Sequence, residues 1–145
     1  MITYPVHFHA NGKASSGLAN TWSNKAGPFE TQCSIPAEFN GPGNALSPED
    51  FFNQALMNCF IGTFKVIAEN SKLSFQSLDC ASELIVDKDE SQKPVMKELT
   101  LHVQLKGVTD VEKAKRIAQR AFDTGFILNS VKTACRLSLE VGSVA

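Results

Sequence analysis

The stretch from Ser47 to Ser71 constrains this chain more than any other. Its apolar residues Phe51, Phe52, Ala55, Leu56, Met57, Phe60, Ile61, Phe64, Ile67 and Ala68 recur at helical spacing, yet they cover most of the circumference. A helix of that kind has almost no face to offer water, so other elements must wrap it. Its start is well marked. Ser47 caps, Pro48 fits the first turn, and Glu49 and Asp50 meet the positive end of the helix dipole. The pattern predicts a helix to about Asn70 or Ser71. Asn53, Gln54, Asn58 and Lys65 interrupt the apolar run, which suits a protein core rather than a lipid bilayer.

The flanking sequence supplies the wrapping. Residues 1–46 are rich in Gly, Asn, Ser and Thr. Within them Phe29-Glu30-Thr31-Gln32-Cys33-Ser34-Ile35 alternates as a strand that ends at Pro36, and Asn40-Gly41-Pro42-Gly43-Asn44 reads as a loop. After the helix, Leu78 to Val86 and Leu99 to Leu105 alternate as a hairpin with one wet face, joined by the loop Lys88–Pro94 and ended by Gly107. Thr109 or Asp110 caps a second helix to about Thr124, with Val111, Ala114, Ile117, Ala118, Ala121 and Phe122 on one stripe and Gly125 as a C-cap. A last strand covers Thr133–Val141. Strands, long helix, two strands, helix, strand: this order is an α+β fold, expected as a single domain over residues 1–145.

Composition narrows the function. Lys and Arg total 14 against 15 Asp and Glu, a net charge of −1, so the chain carries no electrostatic footprint for nucleic acid or an anionic membrane. Ten Phe stand against one Trp and one Tyr, and most of the Phe are expected inside. The opening MITYPVHFHA has neither the basic region nor the apolar run of a secretory signal, so the expected location is the cytoplasm. Cys33, Cys59, Cys80 and Cys135 form no CxxC pair and no metal-ligand spacing. In a reducing compartment they are free thiols, and neither metal nor cofactor is expected.

Position separates the thiols. Cys33, Cys80 and Cys135 fall on the apolar side of strands, where a cysteine is usually a small buried hydrophobe. Cys59 lies in the long helix, between Asn58 and the Gly62-Thr63 pair; from position alone, core packing and reactivity stand about even. His7, His9 and His102 read as solvated or locally paired imidazoles, although a Cys-His couple built across the fold stays open. Glu49 stabilises the helix start simply by being there. Ten residues separate it from Cys59, about 15 Å of helix rise and roughly 80° around the axis. On one straight helix the two side chains cannot meet. Cooperation would need a bridge or a second copy of the chain.

The stretch Phe39-Asn40-Gly41 through Leu46-Ser47-Pro48-Glu49-Asp50-Phe51-Phe52, followed by Ala55-Leu56-Met57-Asn58-Cys59-Phe60, resembles the OsmC/Ohr family of small bacterial thiol peroxidases. The match lies in a Pro-Glu pair that opens the central helix, a Cys ten residues after the Glu, and the later element order. The resemblance implies an intertwined homodimer with its central helices near the interface. It also implies a Cys59 thiolate that attacks a hydroperoxide to give a sulfenic acid, then a second cysteine and an external dithiol that complete the cycle. The sequence departs from the pattern twice. The family's second cysteine aligns with Gly125, and the arginine that holds the thiolate in the Ohr type has no counterpart near the N-terminus, since Arg116, Arg120 and Arg136 all lie late. Lys13 or Lys25 could supply the charge, without the bidentate fork of an arginine.

Two function classes follow. The first is a homodimeric, thiol-dependent reductase of organic hydroperoxides in oxidative-stress defence, using Cys59 with Glu49 in a one-cysteine cycle resolved by an external thiol or dithiol. The second is a non-catalytic module that binds a small apolar molecule or senses oxidation through Cys59. Neither involves nucleic acid or a membrane.

Overall fold

The computed structural model describes Met1 to Val144. The chain forms two compact units, Met1–Phe51 and the part from Phe52 onward.

The first unit is a small antiparallel sheet in the order β1 (Asn11–Lys13), β2 (Trp22–Ala26), β3 (Phe29–Cys33). The β2–β3 hairpin turns at Gly27, whose φ of 58° is a left-handed conformation that suits glycine. After β3, Ser34 donates its backbone N–H to the Leu46 carbonyl at 2.9 Å and its hydroxyl to the Ala45 carbonyl at 3.3 Å. These bonds close the loop that contains Gly41. A Cβ at Gly41 would fall on the Ile35 carbonyl, so only glycine fits there. Within this unit only Cys33, Ser34 and Ser47 are buried. Ahead of β1, Ile2, Tyr4, Val6 and Phe8 alternate with polar residues or Pro, and all four are exposed.

The second unit carries the core. The helix α1 (Pro48–Asn70), whose residues up to Phe51 belong to the first unit, starts where the sequence predicts, through a reciprocal cap: Asp50 N–H donates to Ser47 Oγ at 3.0 Å, and Ser47 N–H donates to Asp50 Oδ2 at 2.9 Å. The strands β4 (Ser77–Lys88), β5 (Pro94–Val108) and β6 (Ala134–Ser143) form a sheet with β5 central, antiparallel to β4 and parallel to β6. The parallel return is made by α2 (Val111–Thr124), capped by Asp110, which accepts from the Lys113 N–H at 3.0 Å. Leu99, Leu101, Val103 and Leu105 of β5 point into one core with Leu56, Phe60, Phe64 and Ala68 of α1 and Ala114, Ile117, Ala118 and Ala121 of α2. Both helices therefore cover the same sheet face. The other face, with Asp79, His102, Gln104 and Glu140, is wet. Among the described residues no helix is long and apolar enough to cross a membrane.

Three expectations change. The stripe of α1 that is fully buried is narrow, every fourth residue from Leu56 to Ala68; the rest of its apolar surface is half-buried or exposed, with Val66 at 60 %. The phenylalanines divide: Phe52, Phe75 and Phe122 are half-buried against the core. Only Phe60 and Phe64 are fully buried, whereas Phe8, Phe29, Phe39 and Phe126 are exposed. Gly107 does not end β5 either. Its φ of 66° lets the strand shift register and continue to Val108.

Candidate active site around Cys59

On α1, Cys59 lies about 60° from Leu56 and about 100° from Phe60, at the margin of the buried stripe. It is accordingly half-buried, packed against the core without belonging to it. The segment that follows α2 covers it. A Cβ at Gly125 would stand 2.8 Å from Cys59 Sγ, 3.1 Å from Leu128 Cδ1 and 3.3 Å from the Ala121 carbonyl oxygen. Gly125 is the C-cap of α2, as expected, but with φ −59° and ψ 129°, a conformation open to any residue. What demands glycine here is the nearness of the Cys59 sulfur. The backbone at this point is well tethered: Gly125 N–H donates to the Ala121 carbonyl at 3.1 Å, and the Gly125 carbonyl accepts from both the backbone N–H and Nδ2 of Asn129, each at 3.0 Å. Beyond it Phe126 is 78 % exposed and Ile127 44 %.

The other thiols have different surroundings. Burial pushes the Cys80 and Cys135 thiols up from the ordinary range, as expected for cysteines on the core side of β4 and β6. Burial also pushes Cys33 up; a hydrogen bond with the Ser34 backbone pulls the other way, and the Glu49 and Asp50 carboxylates push it further up. Raised thiols hold little thiolate at neutral pH and are poor nucleophiles.

Glu49 sits in the first turn of α1, in the first unit, with Cys33 as its neighbouring thiol. Its Oε1 is buried and, among the described residues, has no hydrogen-bond partner. A carboxylate oxygen in that condition calls for a cation or a proton donor. Lys13 and Lys25 lie exposed on β1 and β2, Arg136 pairs with Glu98 at 3.3 Å, and Arg116 and Arg120 stand on α2. His7 and His9 are exposed, their rings stacked at 6.5 Å, and His102 is on the wet sheet face. Among the described residues no three His, Cys, Asp or Glu side chains gather to hold a metal ion.

Two features escaped the sequence reading. Ser82, in the core-facing register of β4, donates its hydroxyl to Asn53 Oδ1 at 2.6 Å, pinning the start of α1 to the sheet. Asn53 had signalled itself only as a polar break in an apolar run. Lys113, Arg116 and Arg120 share one face of α2, a spacing visible in the sequence but easily taken for a solvated surface.

The family model described as OsmC-like protein matches residues 41–140. An uncharacterized protein of Bacillus subtilis (strain 168), YmaD, is 24% identical over 138 residues, 92% of each chain. Among solved structures, an OsmC-like protein from Vibrio cholerae superposes with a TM-score of 0.82 at 18% identity, covering 94% of this chain and all of the other. An organic hydroperoxide resistance protein, OsmC, from Legionella pneumophila does so with a TM-score of 0.72 at 20% identity, covering 97% and 100%. The organic hydroperoxide resistance protein OhrB of Bacillus subtilis gives 0.64 at 22% identity, covering 92% and 98%. The matched family model spans both the helix start at Pro48-Glu49 and the Cys59–Gly125 contact, and the chain belongs to the OsmC-like family.

Proposed function

We propose that this protein reduces organic hydroperoxides through Cys59. The observation that carries the reading is the half-buried Cys59 sulfur set against a residue without a side chain, followed by exposed Phe126 and Ile127, in a family whose structural relatives include organic hydroperoxide resistance proteins. The Cys59 thiolate attacks the outer peroxide oxygen. The O–O bond breaks, the sulfur becomes a sulfenic acid, and the leaving alkoxide takes a proton to become an alcohol. With glycine at 125 and the other thiols raised by burial, an external thiol condenses with the sulfenic acid, releasing water. A second external thiol then frees Cys59 and leaves as a disulfide with the first. Apolar surface at Phe126 and Ile127 favours substrates with hydrocarbon tails, at about 25 cal/mol per Å² buried.

Glu49 takes the second role in this reading only from a second copy of the chain, since ten residues of α1 keep it away from the Cys59 of its own; its open Oε1 accepts from a cation or from the hydroperoxide O–H. The working form is a homodimer. The support is a first unit with only three buried residues, which leaves Ile2, Tyr4, Val6 and Phe8 exposed, and an α1 whose remaining apolar surface is only partly covered. The test is consumption of cumene hydroperoxide with dithiothreitol as reductant. The native protein turns over and Cys59→Ser falls to the uncatalysed background. Equal turnover by the two would end the proposal.

A further inference from the structure

A separate cleft lies between the end of α1 and one face of α2. It is an open cleft of about 240 Å³, lined by Ser71, Lys113, Arg116, Ile117 and Arg120. Buried Ile117 forms its floor, Lys113 is half-buried, and the two arginines stand at the rim. At positions i, i+3 and i+7 the three cations fall within roughly 60° of one another around α2. Among the described residues, the ion pairs engage Lys97, Lys115 and Arg136, and none engages these three. Like charges at this spacing on a helix repel one another. Two of the chain's three arginines are gathered here, in a molecule whose net charge is −1.

We propose that this cleft binds a phosphate dianion, free or as the terminal group of a small phosphate monoester. The charges and the donors both select it. Three positive side chains exceed what a single carboxylate can neutralise, whereas a phosphate near pH 7 brings close to two negative charges and three acceptor oxygens. Arg116 and Arg120 present planar forks suited to pairs of phosphate oxygens, Lys113 adds a point charge, and the Ser71 hydroxyl supplies a neutral donor.

The test is calorimetric titration of the full chain at low salt in a phosphate-free buffer near pH 7.5, with inorganic phosphate, glycerol 3-phosphate and acetate as probes. Saturable binding at one site per chain is expected for the phosphate probes. The tighter of the two identifies the source, ester or free ion. Arg116→Gln/Arg120→Gln weakens binding at least tenfold, Lys113→Gln weakens it less, and Lys97→Gln, on the far hairpin, leaves it unchanged. Melting curves of the variants check that each is folded. Absence of saturable binding by either phosphate probe, acetate bound as tightly as phosphate, or unchanged affinity in the folded double arginine variant would each overturn the proposal.

Discussion

Gly125 gives the sharpest handle on the Cys59 site. An alanine there places its Cβ 2.8 Å from the Cys59 sulfur, well inside the 3.5–4 Å or so of comfortable heavy-atom contact. Leu128 Cδ1 at 3.1 Å and the Ala121 carbonyl at 3.3 Å block the other directions, and the Asn129 hydrogen bonds hold the backbone. Overpacking of this sort costs about 1–3 kcal/mol, a melting temperature lowered by roughly 3–10 °C in a domain of this length. Gly125→Cys meets the same crowding while reduced, but it has a way out. Across a disulfide, with its S–S bond of about 2.05 Å, the Cβ of one cysteine stands about 3 Å from the sulfur of the other. The distance at Gly125 is already close to that, so a bond to Cys59 turns the clash into covalent geometry. The closed loop of roughly 66 residues contributes up to about 4 kcal/mol by restricting the unfolded chain. The assay is thermal melting with and without reductant, paired with mass-spectrometric counting of alkylated thiols. We expect Gly125→Ala to melt below the native protein in both conditions. Oxidised Gly125→Cys melts above its own reduced form, with positions 59 and 125 both protected from alkylation. If Gly125→Ala melts like the native protein and Gly125→Cys stays fully alkylatable after oxidation, the sulfur is not where the contact requires it to be.

Other substitutions test the supports of the site. Gly41→Ala drives a Cβ into the Ile35 carbonyl and costs about 3 kcal/mol or more by urea unfolding, because backbone cannot step aside as a side chain can. Asp110→Ala removes the acceptor for the Lys113 N–H and lowers stability by about 1 kcal/mol, while Asp110→Asn retains most of it. Ser82→Ala strips Asn53 Oδ1 of its donor and costs about 1–3 kcal/mol, seen as a lower urea midpoint with unchanged slope. Burial raises the Cys33, Cys80 and Cys135 thiols, so folding favours their neutral form. That contribution is complete below the unfolded thiol pKa of about 8.5 and is lost as pH rises from there through the folded values. Urea midpoints should therefore fall above about pH 8.5, and Cys80→Ala with Cys135→Ala should flatten the decline; a slope unchanged in the double variant would contradict it.

What the sequence could announce was whatever is local in cause. Ser47 through Asp50 write the start of α1 because the cap bonds join residues three apart, and Asp110 does the same for α2. The alternation of β4 and β5 was legible because every second residue faces a single core. The α+β class and the element order follow from these, whereas the family rests on the likeness of the Pro48-Glu49 start and the Cys59 that follows, and on the family model that matches residues 41–140. Gly125 is legible locally as the C-cap of α2 and, through the resemblance, as the place of the family's second cysteine; its closeness to a sulfur 66 positions away is carried by no local pattern. The same holds for Ser82, whose place in an apolar register makes sense only once Asn53 is opposite it.

The phenylalanines point to a further kind of information, one that a single chain hides. Burial was expected from their chemistry, yet Phe8, Phe29, Phe39 and Phe126 stand in water, and the apolar girth of α1 narrows to one buried stripe. Exposed aromatic surface on this scale is costly for a monomer. Chemistry that calls for burial where the chain alone gives none is what a self-associating sequence would contain, because its hydrophobic pattern is written for the assembly. The proposed homodimer therefore makes its own demand. In sedimentation equilibrium the native protein runs as a dimer, and Val66→Glu combined with Phe8→Glu shifts it toward monomer and exposes dye-binding apolar surface. A native protein that sediments as a stable monomer at micromolar concentration and binds no such dye would mean that these side chains face water by design, and the dimeric reading of the pattern would fail.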